Sequence, residues 1–116
     1  YATGKPSERG NYEFGLKVGE WAAWHQSGTM IFKGKFNRDK EEGTHSYWWK
    51  NGQPQKSHSY KLGTPNGTWW EAFQNGQKKF EGSYREGEKH GIWNYWKENG
   101  EKTKFEKYQN GQLVEN

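Results

Sequence analysis

The sequence predicts an all-β fold in which tandem 24-residue β-hairpin repeats form a single-layer, curved antiparallel meander. First, ten-residue segments that begin and end with glycine recur every 24 residues without a gap, at 19–28, 43–52, 67–76 and 91–100. Second, three of these segments end in Asn-Gly, a pair that typically joins two strands in a hairpin. Third, apolar or glycine residues alternate with polar ones after each turn, which is the period of a strand with one apolar face.

The 24-residue period also sets the domain organisation, which is a single repeat domain over residues 1–116. A partial repeat at 1–18 precedes four repeats, numbered 1 to 4 here, at 19–42, 43–66, 67–90 and 91–116. The segments between hairpins are too short for a helix, so each hairpin is expected to pair with the next. The chain starts with Tyr1 rather than Met, so we expect this N-terminus to result from processing or from how the chain was prepared. Both the bacterial cytoplasm and the cell envelope stay open as locations.

A two-residue turn at Asn75-Gly76 would fix the register of the paired strands. Counting outward places Trp69 opposite Gly82, and the same count in repeat 1 places Trp21 opposite Gly34. A large ring over a cross-strand glycine covers backbone that has no side chain of its own. We therefore expect structural roles for one set of residues: Trp21, Gly34, Trp69, Gly82 and Trp93. A three-residue turn with a bulge would shift the register by one residue and exchange the two faces.

The composition is poor in aliphatic residues but rich in aromatic ones. Hydrophobic residues make up 28% of the chain, a value close to that of disordered proteins. However, 18% of the residues are aromatic, including eight tryptophans, and each buried ring removes a large apolar area from water. There is no cysteine, which excludes disulfides and thiolate chemistry. No stretch is long and apolar enough for a transmembrane helix.

The recurring order Gly-x-Trp-x-x-Trp/Tyr, then Asn-Gly, then aromatic-x-Gly-x-Tyr resembles the MORN repeat. It is most similar to the variant found in bacterial YwqK-type antitoxin or immunity proteins, and the resemblance covers nearly the whole chain. It implies a curved β-meander that binds a protein or, in some MORN proteins, a membrane surface. The sequence departs from this pattern at Ala72, where the other repeats have Trp, at Asp39, where the others have Gly, and throughout repeat 2.

Motifs of catalysis are missing from the sequence. It contains no nucleophile elbow, phosphate-binding loop or His-Glu-x-x-His pair, and its carboxylates are scattered over solvent-facing strand positions and loops. We therefore expect a non-catalytic binding module without a cofactor. The expected partner is another protein, with an acidic toxin as one candidate, and an anionic lipid or glycan is the alternative. Acids alternate with lysines in three repeats, which argues against binding along a nucleic acid.

Repeat 2 contains the predicted binding site. It has Lys50, Lys56 and Lys61 and no acid, whereas each other full repeat has four basic and four acidic residues. A cationic, aromatic patch in mid-array would attract an acidic partner. The candidate partner-binding residues are Tyr47, Trp48, Trp49, Lys50, Lys56, His58, Tyr60 and Lys61. Drift in a degenerate repeat is the alternative explanation.

Repeat 2 also replaces the Trp–Gly pair of repeats 1 and 3 with His45 and His58. Opposed strand residues have Cβ atoms about 5 Å apart, but two imidazoles do not complete a zinc site. We expect no metal, and a stacked or water-bonded histidine pair instead. Trp24, Trp48 and Trp96 form a second aromatic row, expected on the face opposite Trp21. This row is either a binding platform or is covered by loops and the curl of the sheet.

Overall fold

The computed structural model describes residues 7–116 and confirms the all-β repeat fold. Ten strands form one open sheet in sequence order, and every neighbouring pair is antiparallel. The strands are β1 Ser7–Glu13, β2 Leu16–Trp24, β3 Met30–Asn37, β4 Lys40–Trp48, β5 Pro54–Lys61, β6 Thr64–Ala72, β7 Lys78–Arg85, β8 Glu88–Trp96, β9 Lys102–Gln109 and β10 Gln112–Glu115. In this range there is no helix, and hence none that could span a membrane. The extents of 50 × 35 × 13 Å leave room for one layer, with gentle curvature at most.

The predicted register is confirmed, but the predicted turn is wrong. Trp69 pairs with Gly82 as expected. The hairpin loop, however, has three residues: the Phe73 N–H donates to the Gln77 carbonyl at 2.8 Å, and the Gly76 N–H donates to the Phe73 carbonyl at 3.0 Å. The register is kept because β7 bulges between Lys78 and Phe80, where the pairing moves from Ala72↔Lys78 to Glu71↔Phe80. The bulge offsets the extra loop residue, so the faces are not exchanged.

The asparagine of each Asn-Gly pair is used for hydrogen bonding rather than for a left-handed backbone. Gly76 has a φ of 93°, whereas Asn75 is not among the residues with positive φ. Asn75 Oδ1 accepts from the Gln77 N–H at 2.9 Å, and its Nδ2 donates to the Glu98 carbonyl in the next hairpin loop at 2.8 Å. This geometry is that of a type I turn followed by a left-handed glycine. The same asparagine thus closes its own loop and ties it to the loop of the next repeat.

Two-residue turns do occur, but they join one repeat to the next. Leu62 and Gly63 have φ values of 48° and 85°, and Arg38 and Asp39 have values of 50° and 69°. Two successive positive φ angles in a two-residue loop are typical of a type I′ hairpin. Asp39 can replace glycine here because Asp tolerates the left-handed region, and its Oδ1 also accepts from the Lys17 N–H at 2.7 Å. These contacts explain the departure at Asp39.

The core lies between repeats rather than inside each hairpin. A Cβ atom at Gly82 would overlap the ring of Trp93, and one at Gly10 would overlap the ring of Trp21. Trp21 and Trp93 therefore cover the glycine of the preceding repeat, as His45 does with Gly34. The prediction that Trp69 covers Gly82 was wrong, because the two residues are paired at Cα but the covering ring comes from the next hairpin. Trp93 and Trp21 are only 2% and 5% exposed, so the junctions between repeats hold the array together.

Candidate functional site

One face of the sheet carries an unbroken row of aromatic rings, and we call this face the ring face. It is the face of Trp21, His45, Trp69 and Trp93, which stand 24 residues apart. From Phe36 to Trp93 each ring contacts the next with centroids 4.8–5.3 Å apart, in the order Phe36, His45, Tyr60, Trp69, Tyr84 and Trp93. Most of these contacts are edge-to-face, the geometry that the quadrupoles of aromatic rings favour.

A second line of side chains lies beside this row on the ring face, and its residue types differ from strand to strand. Phe32 packs on Tyr47 with centroids 4.9 Å apart, and the ammonium of Lys56 lies 4.7 Å from the centroid of the Tyr47 ring. Tyr95 and Lys104 repeat this pairing 48 residues later, at 4.8 Å. Such cation–π contacts stabilise exposed sites only weakly. Their effect here is to place positive charge directly on an aromatic surface.

His45 takes the structural place of a tryptophan. Its side chain is buried, with 1% exposure, and its Nε2 lies 2.7 Å from the Lys35 carbonyl. The indole N–H of Trp93 donates to the Ser83 carbonyl, also ten residues earlier, at 3.1 Å. A carbonyl only accepts, so His45 donates from Nε2. This histidine is a core residue and not a free ligand.

His58 stands at the position where other repeats have glycine, and its ring changes the junction with repeat 3. Trp69 stacks on the imidazole in parallel, with centroids 3.9 Å apart and planes inclined by 10°. His58 Nε2 lies 3.1 Å from Glu71 Oε2. Burial lowers the pKa of His58, and the neighbouring Glu71 carboxylate opposes this shift in part. The imidazole is therefore neutral at pH 7 and donates its Nε2–H to Glu71.

The two histidines are opposed across β4 and β5, as the sequence predicts, but their rings serve different partners. His45 binds the Lys35 carbonyl, whereas His58 stacks on Trp69. Within residues 7–116 no group of three or more His, Asp or Glu side chains is placed to hold a metal ion. The pair therefore belongs to two adjacent junctions of the core.

The structure divides the predicted patch of repeat 2 between several surfaces. Four of its eight residues share the ring face, because they alternate along β4 and β5 with the paired residues His45 and His58 or belong to that pair. They are Tyr47, Lys56, His58 and Tyr60. Trp48 alternates with Tyr47 and points to the opposite face. Lys50 lies in the hairpin loop and Lys61 at the far end of β5, more than about 20 Å away along the strand. The charges of repeat 2 therefore do not form one compact patch.

Trp49 explains why repeat 3 has Ala72 where its siblings have tryptophan. The indole N–H of Trp49 donates to the Ala72 carbonyl at 3.3 Å, and Ala72 is 4% exposed. The indole of Trp49 therefore lies against Ala72 and contributes to its burial. Trp24, Trp48 and Trp96 each end a strand and are half-buried, which fits cover by neighbouring loops better than an open platform.

Sequence reasoning missed the lysines of the ring face outside repeat 2. Lys17 lies 4.8 Å from the ring centroid of Trp21, and Lys89 lies 4.8 Å from that of Trp93. Each lysine precedes its tryptophan by four residues, and this spacing was the available signal. At the C-terminal end of the face, Tyr95 donates its hydroxyl to Glu106 Oε1 at 2.8 Å, and this hydrogen bond lowers the pKa of Glu106.

The polar groups of the ring face are lysines over rings, phenols, and the carboxylates of Glu71 and Glu106, and they line a broad surface rather than an enclosed cleft. No protein-family model matches the sequence, and none of the curated proteins is detectably similar to it.

Proposed function

We propose that this protein is a non-catalytic binding module that recognises another protein through its ring face. The observation that carries the proposal is the continuous aromatic row, which no second layer of the described chain covers. The sheet measures 50 × 35 Å, which is more than the roughly 800 Å² that each partner contributes to a standard interface. Half-buried aromatic rings are also the residues that most often dominate binding energy.

The lysines of the ring face, which lie among the carboxylates of Glu8, Glu71 and Glu106, provide contacts for acidic groups of a partner. Lys17, Lys56 and Lys89 hold their ammonium groups over aromatic rings at 4.7–4.8 Å. The chain has a net charge of +4, and repeat 2 contributes three positive charges without an acid. Positive charge of this kind accelerates association with an acidic protein and fixes its orientation. The resemblance to MORN-like antitoxin or immunity proteins supports the same role, with a toxin as the bound partner.

The test uses two substitutions that the repeat itself tolerates. The residue of repeat 1 that is equivalent to Tyr47 is Ala23, and the residue of the partial repeat that is equivalent to Lys56 is Glu8. The variant Tyr47→Ala/Lys56→Glu should therefore fold, while losing an aromatic anchor and reversing a charge. Lys33→Glu/Lys35→Glu is the control, because both lysines are exposed and adjoin Gly34 on the opposite face.

Each immobilised protein is exposed to extract of the source cells, and the retained proteins are identified by mass spectrometry. We expect an acidic protein that forms a stoichiometric complex with the wild type and with the control but not with the ring-face variant. If both variants retain it equally, the ring face is not the binding surface. If no stoichiometric complex forms with the wild type, the proposed function is wrong.

A second candidate function is attachment to an anionic membrane surface, favoured by the edge that carries the type I′ turns. Phe14 at one turn is 96% exposed and Leu62 at another is 51% exposed, with Arg38 at the turn between them. Apolar tips beside cations are suited to the interface of anionic lipids. Asn110 occupies the equivalent turn position in repeat 4, so Phe14→Asn/Leu62→Asn should fold and should abolish sedimentation with phosphatidylserine vesicles. No sedimentation of the wild type would exclude this candidate.

A further inference from the structure

A cavity opens on the ring face near the N-terminal end of the described chain. Its volume is about 210 Å³. Seven residues from four strands line it: Glu8, Lys17, Trp21, Ala22, Phe32, Phe36 and Tyr47. Four of them are aromatic, one is a cation and one is an anion. None of the sequence motifs pointed to this combination, because its members come from positions 8 to 47.

The cavity exists because repeat 1 has a small residue where its siblings have large ones. Ala23 corresponds to Tyr47, Glu71 and Tyr95 of repeats 2 to 4. It pairs with Glu8 on one side and with Phe32 on the other, and both of these residues line the cavity. Ala23 does not itself line the cavity. A tyrosine at this position, as in repeats 2 and 4, would extend between Glu8 and Phe32, and we infer that the methyl group of Ala23 leaves this space open.

The lining groups restrict what the cavity can bind. Its volume is below the roughly 300–1,000 Å³ of pockets for drug-sized ligands, so it suits a single small ring. Lys17 holds its ammonium 4.8 Å from the Trp21 centroid and 5.1 Å from that of Phe36, and it can only donate hydrogen bonds. The Glu8 carboxylate can only accept them. A ligand therefore needs an apolar face for the rings and both donors and acceptors at its rim.

We propose that this cavity binds one pyranose ring of a neutral glycan. The C–H face of the sugar packs on the aromatic walls, while its hydroxyls donate to Glu8 and accept from Lys17. With one cation and one anion among its lining groups, the cavity has no net charge that would attract a charged sugar, and only a neutral ring can use both groups without repulsion by either. The site goes beyond the proposed binding of a partner protein and stands or falls independently of it. A ligand this small implies a dissociation constant on the order of 1 mM.

The test titrates the ¹⁵N-labelled protein with methyl glycosides of glucose, galactose and N-acetylglucosamine up to 50 mM. Glucuronate and glucosamine serve as the charged counterparts, and the readout is the shift of the Trp21 indole N–H in the NMR spectrum. We expect at least one neutral sugar to shift this signal and both charged sugars to bind at least about fivefold more weakly. Ala23→Tyr fills the cavity with the side chain of repeats 2 and 4, and should weaken binding at least tenfold. Ile92→Tyr adds the same side chain at an exposed position of β8 and should leave binding unchanged.

A second variant tests the charge selection without changing the shape of the cavity. Glu8→Gln should weaken binding of the neutral sugar several-fold, since a charged acceptor is lost, and should bring glucuronate binding up to the level of the neutral sugar. Circular dichroism and the melting temperature report whether each variant is folded. The proposal is overturned if no sugar shifts the Trp21 signal, if Ala23→Tyr binds as well as wild type, or if the charged sugars bind as tightly as the neutral ones.

Discussion

Replacing Gly82 by Ala tests whether the junctions between repeats are the core of the molecule. Gly82 is buried under the ring of Trp93, and the added methyl group would overlap that ring. The backbone at Gly82 is paired with Trp69 of β6, and its neighbours Glu81 and Ser83 are paired with β8, which limits how far it can move away from the ring. Trp93, at 2% exposure, must therefore move and lengthen its hydrogen bond to the Ser83 carbonyl.

The expected cost of Gly82→Ala follows from these contacts. Overpacking costs about 1–3 kcal/mol, and a weakened hydrogen bond adds about 0.5–1.5 kcal/mol. Alanine also lowers the conformational entropy of the unfolded chain, which stabilises the folded state by about 0.4–1 kcal/mol. The net loss of unfolding free energy should be about 2–3 kcal/mol, measured by urea titration with tryptophan fluorescence. Ser83→Ala, next along the strand, is the control and should change stability by less than about 0.5 kcal/mol. Equal stability of the two variants would refute the packing of Trp93 on Gly82.

Three further predictions concern the neighbouring contacts. Trp69→Ala should destabilise the fold by about 3 kcal/mol in urea titration, because the ring that stacks on His58 is lost; a loss below 1 kcal/mol would contradict this. Burial lowers the pKa of His58 in the folded state, so its contribution to stability is complete above the unfolded value of about 6.5 and is lost as the pH falls below it. His58→Gly should therefore lose less unfolding free energy than wild type between pH 7.5 and 5.0, and equal losses would show that His58 does not titrate in this range. Asn75→Ala removes the hydrogen bonds to the Gln77 N–H and the Glu98 carbonyl. It should lower the unfolding free energy by about 1 kcal/mol and the melting temperature with it, whereas an unchanged melting temperature would show that these hydrogen bonds between loops are not stabilising.

The period of the sequence was sufficient to predict the topology and the register, but not the turns. Asn-Gly is compatible with a two-residue type I′ turn and with a type I turn followed by a left-handed glycine. The sequence does not separate the two, since the deciding feature is the bulge at Lys79 on the following strand. The type I′ turns have Phe14, Arg38, Leu62, Glu86 or Asn110 at their first position, and of these residue types only Asn signals a left-handed backbone.

The covering of glycines shows a second limit of the sequence. Each tryptophan lies between a residue of its own hairpin and one of the preceding repeat: Trp21 between Gly34 and Gly10, Trp69 between Gly82 and His58, and Trp93 between Glu106 and Gly82. Counting along a hairpin finds only the first, so the prediction paired Trp69 with Gly82. The direction of the side chain determines which of the two neighbours a ring covers, and the ring of Trp69 stacks on His58. Which neighbouring strand the Trp69 ring covers depends on the direction of its side chain and on the irregular pairing of β5 with β6. Counting residues along the sequence does not reveal either of them.

The predicted binding patch failed as a compact surface for a simpler reason. Net charge was counted along the chain, whereas a strand presents successive residues to opposite faces. Trp48 and Tyr47 are neighbours in sequence and lie on opposite sides of a 13 Å layer. Alternation alone would have selected Tyr47, Lys56, His58 and Tyr60, which are the four members that the structure does bring together.

The ring face combines two kinds of position, and this combination explains how one scaffold can carry different binding sites. The positions of Trp21, His45, Trp69 and Trp93 are constrained, because each ring must fit the residue beneath it, glycine or the stacked His58. The second line of side chains beside these rings is not constrained in this way. Its position in repeat 1 is occupied by Ala23, and the equivalent positions of repeats 2 to 4 are occupied by Tyr47, Glu71 and Tyr95. These side chains pack on the surface of the ring row rather than beneath it, so they can change without cost to the junctions. A cavity at Ala23, a cation–π pair at Tyr47 and a His–Glu pair at Glu71 are three outcomes of substitution at one position. If the ring face is the binding surface proposed above, we expect its specificity to be set along that line, while the rings beside it set the fold.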